Sequence, residues 1–126
     1  MVEIIRRDRI EVLATPGITS HQLLFPENSR SARVTITRVV LAAGAMNPRH
    51  RHVKSEQVWV ALSGEGVLLL EDEATAPFVA GDVARFEDGD THGLHNPGPT
   101  PFEYLSVTAP PVNFREAYSK PWIRRS

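Results

Sequence analysis

An all-β sandwich or barrel is the fold this sequence predicts, and three observations predict it. Ten prolines and eight glycines break the 126 residues at intervals too short for long helices. Between these breaks lie strand-length runs rich in β-branched and aromatic residues, several of them alternating apolar with polar. No repeat, linker or low-complexity tract divides the chain, and its length suits one hydrophobic core.

The strands expected, in order, are "HQLLF", "ARVTITRVVLA", "QVWVAL", "GVLLL", "DVARF" and "FEYLSVTA". "ALSGEGVLLL" reads as a hairpin turned at Gly64 and Gly66, and Pro77 with "AGD" at 80–82 brackets the next reversal. "NPGPTP" at 96–101 is a loop before the last strand. Only "VNFREAYSK" could be a short helix. The barrel is expected over about 20–109, with residues 1–19 and 110–126 as arms that pack over it or over a neighbour.

Composition excludes more than it selects. A formal net charge of −1 gives no reason to expect nucleic acid or an anionic membrane surface as partner. Basic residues at Arg6, Arg7, Arg9, Arg124 and Arg125 and the acidic run from Glu65 to Asp90 read as solvated turns. With no cysteine there is no disulfide, thiolate nucleophile or Cys-based zinc site, which leaves His, carboxylate and amide as ligands. "MVEIIRRDRIEV" lacks the apolar core of a signal peptide, and "VVLAAGAM" is too short to span a bilayer. The default expectation is a cytoplasmic protein.

The five histidines are His21, His50, His52, His92 and His95. On a strand, residues two apart share a face, so His50 and His52 can aim both rings at one point. From Gly44 the spacing is five residues, His50, one residue, His52, four residues, Gln57, six residues, Gly64. From Gly81 it is five residues, "EDG" at 87–89, two residues, His92, three residues, Asn96. This pair of motifs resembles the cupin superfamily, whose patterns are G-x5-H-x-H-x(3 or 4)-E-x6-G and G-x5-P-x-G-x2-H-x3-N. The resemblance spans about residues 34 to 107 and implies a double-stranded β-helix, or jelly-roll, barrel of the small single-domain kind. Glu87 stands where the second motif has proline, so Gly89 and its neighbours must set that turn.

The acidic position of the first motif is open between two neighbours. Three residues forward from His52 selects Glu56, whereas six residues back from Gly64 selects Gln57. Glu56 shares a face with Val58, Val60 and Leu62, an apolar row that suits a core. Against that, polar "HVKSE" reads as a turn or bulge that resets the alternation, and the glycine step favours Gln57.

The resemblance implies a metal site of His50, His52, Gln57 (alternatively Glu56) and His92, holding one divalent transition metal with one or two open positions. Iron, manganese, nickel, cobalt, copper and zinc all suit imidazole. It also implies a metal-dependent enzyme, with a dioxygenase-like oxidoreductase first and a lyase or isomerase next, acting on a small oxygenated organic molecule. The alternative is a non-catalytic small-molecule binding or sensing module. Small cupins commonly pair, so a homodimer is expected. His95 should face away from His92, His21 should face solvent or lie at a strand edge, and Asn96 should hydrogen-bond a turn. Arg85 reads as pairing with a nearby Glu or Asp, or else with a substrate carboxylate. Trp59, Phe86, Phe102 and Tyr104 are candidate pocket walls, and Tyr118 and Trp122 candidate caps.

Overall fold

The computed structural model describes residues 1–112, so the expected C-terminal helix, Tyr118 and Trp122 fall outside the described residues. Ten strands form: β1 Glu11–Thr15, β2 Ile18–Leu24, β3 Thr35–Leu41, β4 Met46–His50, β5 Glu56–Ser63, β6 Glu65–Leu69, β7 Thr75–Val79, β8 Val83–Phe86, β9 His92–His95 and β10 Phe102–Ala109. They build a six-stranded sheet, β1-β2-β3-β10-β5-β8, and a four-stranded sheet, β4-β9-β6-β7, with every pairing antiparallel. From β3 onward the chain repeatedly crosses between the two sheets, which is the jelly-roll path. No helix among the described residues is long and apolar enough to cross a membrane.

Two sequence expectations change here. "ALSGEGVLLL" is not a hairpin, because β5 and β6 belong to different sheets. Gly64 is a corner instead. It has φ +96°, and a side chain there would meet the Pro101 carbonyl oxygen at 2.9 Å. Secondly, the large sheet begins at Glu11, inside the stretch read as an arm. β1 pairs with β2 from Glu11↔Gln22 to Thr15↔Ile18, and the apolar residues of its short "EVLAT" run consecutively and do not alternate.

The prolines explain two strands that the sequence hid. Pro48 sits in β4 and Pro77 in β7, and these are the two edges of the small sheet. Proline donates no ladder hydrogen bond and is tolerated at an edge.

Four strands of the large sheet turn an inner face that changes character along its length. At one end lie Ile18, Leu41 and Phe102, then Val39, Tyr104 and Ala61. These pack with Leu68, Phe78 and Leu94 of the small sheet. Each large side chain taken from water here contributes roughly 1.5–3 kcal/mol. Toward the other end the same strands bury Gln22, Thr37, Ser106 and Trp59, then Thr35, Thr108, Gln57 and Phe86.

Candidate metal centre

Three histidines meet at the polar end of the barrel. His50 closes β4 and His92 opens β9, directly opposite each other in register. The ladder between Asn47 and His50 is irregular, and β4 and β9 come into backbone contact at Gly93. A Cβ on Gly93 would lie 2.7 Å from the Asn47 carbonyl oxygen and 2.9 Å from the Arg49 nitrogen, so only glycine fits. His52 follows β4 in the loop before the turn at 53–54, and its carbonyl accepts the Gly89 N–H at 2.9 Å. That bond ties the His52 loop to the turn that launches β9.

The turn forms without the motif's proline. The Asp90 carboxylate accepts the Glu87 N–H at 2.8 Å, and the Glu87 carbonyl accepts the Asp90 N–H at 3.0 Å. Asp90 thus closes the loop that a proline would otherwise stiffen.

Ring centroids lie 5.1 Å apart for His50 and His52, 4.4 Å for His50 and His92, and 5.3 Å for His52 and His92. One nitrogen from each ring falls within 4.8 Å of the others, so the three could hold a metal ion. Two rings are oriented by backbone carbonyls: His50 Nδ1 lies 2.8 Å from Pro48 O, and His92 Nδ1 lies 2.9 Å from Asp90 O. A carbonyl only accepts, so each Nδ1 carries the proton and each Nε2 keeps its lone pair. His92 Nε2 is buried with no hydrogen-bond partner among the described residues. A buried acceptor left in that state is costly, and a cation satisfies it. The donor set fits a divalent transition metal.

Electrostatics keep the rings neutral. Burial lowers the His92 pKa to about 3, helped by His50 and His52 and opposed by the Asp90 carbonyl. Burial and then His50 lower His52 to about 4. His50 is lowered by burial, partly offset by the Pro48 carbonyl. Neutral imidazole is the form that binds metal.

Aromatic rings and an amide complete the surroundings. Phe86 stacks on His92 at 4.4 Å and 16°, while Trp59 meets the same ring edge-on at 5.2 Å and 84°. Trp59 Nε1 donates to Gln57 Oε1 at 2.9 Å, and Gln57 Nε2 donates to Thr108 Oγ1 at 2.7 Å. Gln57 is 2% exposed on the inner face of β5. Glu56 lies on the outer face, ion-paired with Arg85, which also reaches Glu87 at 3.3 Å. The apolar row of Val58, Val60 and Leu62 therefore belongs to the outside, and the inference that it carries Glu56 inward fails.

The remaining sequence candidates separate cleanly. Phe102 and Tyr104 lie in the core, Tyr104 accepting a 3.2 Å hydrogen bond from Asn47 Nδ2. Asn96 is a structural clamp: its Nδ2 donates to the carbonyls of Leu41, Ala42 and Thr100, and its Oδ1 accepts the Gly98 N–H. His95 and His21 are half-buried and stand outside the triad. Outside the barrel, His50 borders a cleft of about 390 Å³ beside Arg49, Arg51 and the Glu71–Glu73 turn. Arg49 is held there by the carbonyls of Leu70 and Ala74. Thr35, Asn47 and Thr108 were missed by motif reasoning. The only signal for the two threonines was the polar alternation of "TIT" and "SVT", which does not say which face is inside.

Comparison with known proteins agrees with this architecture. The oxalate-binding protein of Thermotoga maritima is 31% identical over 85 residues, spanning 68% of this chain and 69% of its own length. A crystal structure described as a predicted oxalate decarboxylase from Thermotoga maritima matches with 25% identity and a TM-score of 0.71, covering 86% of this chain and 100% of that one. A polyketide cyclase from Streptomyces resistomycificus shares the fold, with a TM-score of 0.75 at 19% identity over 88% of this chain and 81% of its own. The family model for the cupin domain matches residues 37–108, which run from β3 to β10. The chain belongs to the cupin family.

Proposed function

We propose that this cupin holds one divalent transition metal through imidazole nitrogens of His50, His52 and His92, with the Gln57 side-chain oxygen as fourth donor. The observation that carries the reading is His92 Nε2, buried, deprotonated by its Nδ1–Asp90 bond, and without a hydrogen-bond partner among the described residues. Gln57 Oε1 takes one hydrogen bond from Trp59 and keeps a second lone pair for the ion. The Pro48 and Asp90 carbonyls fix two rings, and Phe86 with Trp59 keeps water from one side of His92.

In this reading the protein is a metal-dependent enzyme acting on a small oxygenated organic molecule, an oxidoreductase of dioxygenase type first and a lyase or isomerase next. A bound ion supplies Lewis-acid polarisation of a substrate oxygen at its open positions. Neutral donors add no charge to offset the ion, so an anionic oxygen ligand is favoured. No Asp, Glu, Lys or Arg is among the buried side chains described, so the barrel wall offers no carboxylate base of its own. The test is metal analysis of protein purified without chelators or nickel affinity, then turnover on diketones, phenols, hydroxy acids and sulfonium acids. About one ion per chain, and activity lost on His50→Ala, supports the reading; no metal refutes it.

A binding module is the second reading, favoured by the relative named an oxalate-binding protein. It expects ligand-dependent thermal stabilisation with no turnover. We also propose a homodimer. Val58, Val60, Leu105 and Val107 form a half-buried apolar patch on the outer face of the large sheet, with Val83 64% exposed beside it. Sedimentation giving a clean 14.0 kDa species would refute pairing.

A further inference from the structure

We propose that the polar half of the barrel wall selects the ligand's body, and that this body is hydroxylated and carries no second charge. The inference rests on the metal reading above and adds a ligand class to it: small hydroxy monocarboxylates, whose carboxylate end reaches the ion.

Four adjacent strands of one sheet change from apolar to polar toward the histidines, β2 already at Ser20, β3 and β10 at Thr37 and Ser106, and β5 at Gln57. β2 goes from Ile18 to Gln22, β3 from Leu41 to Thr37 and Thr35, β10 from Phe102 to Ser106 and Thr108, and β5 from Ala61 to Gln57. Register aligns these into two rows, Gln22–Thr37–Ser106–Trp59 and Thr35–Thr108–Gln57–Phe86. Each row ends in an aromatic ring that touches His92. The polar wall therefore stands at the level of the histidines, while the apolar wall stands at the level of Leu94.

A barrel that needed only stability would fill both levels with apolar side chains, as it does at the other end apart from Ser20. Here the hydroxyls and amides are not all consumed by one another. Gln22 Nε2 donates to Ser20 Oγ at 2.7 Å, but Thr37 Oγ1 reaches Gln22 Oε1 only at 3.5 Å. Thr35 is 1% exposed, and its Oγ1 has no hydrogen-bond partner among the described residues. Asn47 Oδ1, buried on β4 opposite Leu94 and so outside these two rows, likewise has no partner among the described residues. Neutral donors and acceptors of this kind suit alcohol groups. A second carboxylate would find no cation on the wall, since no Lys or Arg is among the buried side chains described.

The experiment uses the full chain loaded with manganese and measures affinity by calorimetry for D-glycerate and D-gluconate against oxalate and malonate. Each can chelate, but only the first two offer further hydroxyls. The expected result is tighter binding of the hydroxy acids by about tenfold or more, the scale of one or two neutral hydrogen bonds. Thr37→Val and Gln22→Met should each lower hydroxy-acid affinity about tenfold while leaving metal stoichiometry and oxalate affinity unchanged. Thr35→Val should raise the melting temperature of the metal-free protein, because it removes a buried hydroxyl that makes no bond. The inference is overturned if dicarboxylates bind tighter, or if the wall variants weaken both ligand classes alike. It is also overturned if Thr37→Val and Gln22→Met alter stability alone, which would mark the polar rows as structural. Failure to load metal overturns the metal reading and this inference with it, whereas a loaded protein that prefers oxalate overturns this inference only.

Discussion

Replacing Gln57 with glutamate separates a metal-facing role from a purely structural one. The amide is 2% exposed, donates to Thr108 Oγ1 and accepts from Trp59 Nε1. A glutamate there is nearly isosteric, and the Thr108 hydroxyl can rotate to donate where it now accepts. The problem is charge. In the metal-free protein a carboxylate is desolvated with no cation among the buried side chains described, so its pKa must rise. Because the folded-state pKa lies above the unfolded value, the penalty is absent below about pH 4.3 and grows as pH rises toward the folded pKa. Holding the group fully protonated at pH 7.5 costs about 4 kcal/mol, an upper bound. For a chain of this size that lowers the melting temperature by roughly 10–20 °C. With a divalent ion bound, the carboxylate gains a charge partner and the penalty should vanish or reverse. The assay is thermal denaturation of Gln57→Glu and wild type at pH 7.5, each with EDTA and with saturating manganese or zinc. A large loss in EDTA that metal restores is the expected pattern. An equal loss in both conditions would refute the placement of Gln57 at the ion.

Three further predictions follow from the same geometry. Glu56→Gln removes the surface pair with Arg85 and should leave metal content and melting temperature essentially unchanged, checked by elemental analysis; loss of metal would return Glu56 to the site. For metal-free protein, the depressed His92 pKa makes the folded state bind fewer protons than the unfolded chain from about pH 6.5 down toward 3, so its stability contribution is full above 6.5 and drains as pH falls. His50 and His52 drain stability over the same window, so in urea titrations His92→Asn should remove only the His92 share of the loss between pH 6.5 and 4.5, roughly 2–3 kcal/mol; identical slopes for the two proteins would count against a desolvated His92. Gly93→Ala forces a methyl against the Asn47 and Arg49 backbone and should cost roughly 1–3 kcal/mol while weakening metal binding, because it pries His50 from His92; an unchanged melting temperature would contradict the close approach of β4 and β9.

Local chemistry that repeats along the chain was legible in the sequence. The all-β class, the spacing of His50, His52 and His92, the polar break at "HVKSE" and the clamp role of Asn96 all depend on near neighbours or on turn-forming residues. β4 and β7 were hidden because proline reads as a breaker, and only the sheet order reveals that both are edges. Gly64 looked like a hairpin turn because sequence shows a reversal without showing which sheet receives the next strand.

The choice between Glu56 and Gln57 marks the boundary between the two kinds of information. Period-two alternation puts the two residues on opposite faces of β5, and the sequence alone determined that much. It could not say which face is inside, because both faces carry apolar residues: Trp59 and Ala61 on one, Val58 and Val60 on the other. Tertiary structure decided it. The small sheet and the histidines pack against the Gln57 face, while Glu56 finds Arg85 on the neighbouring strand and stays in water. Burial is a property of what packs against a strand, and the partner of β5's inner face comes from segments far away in sequence.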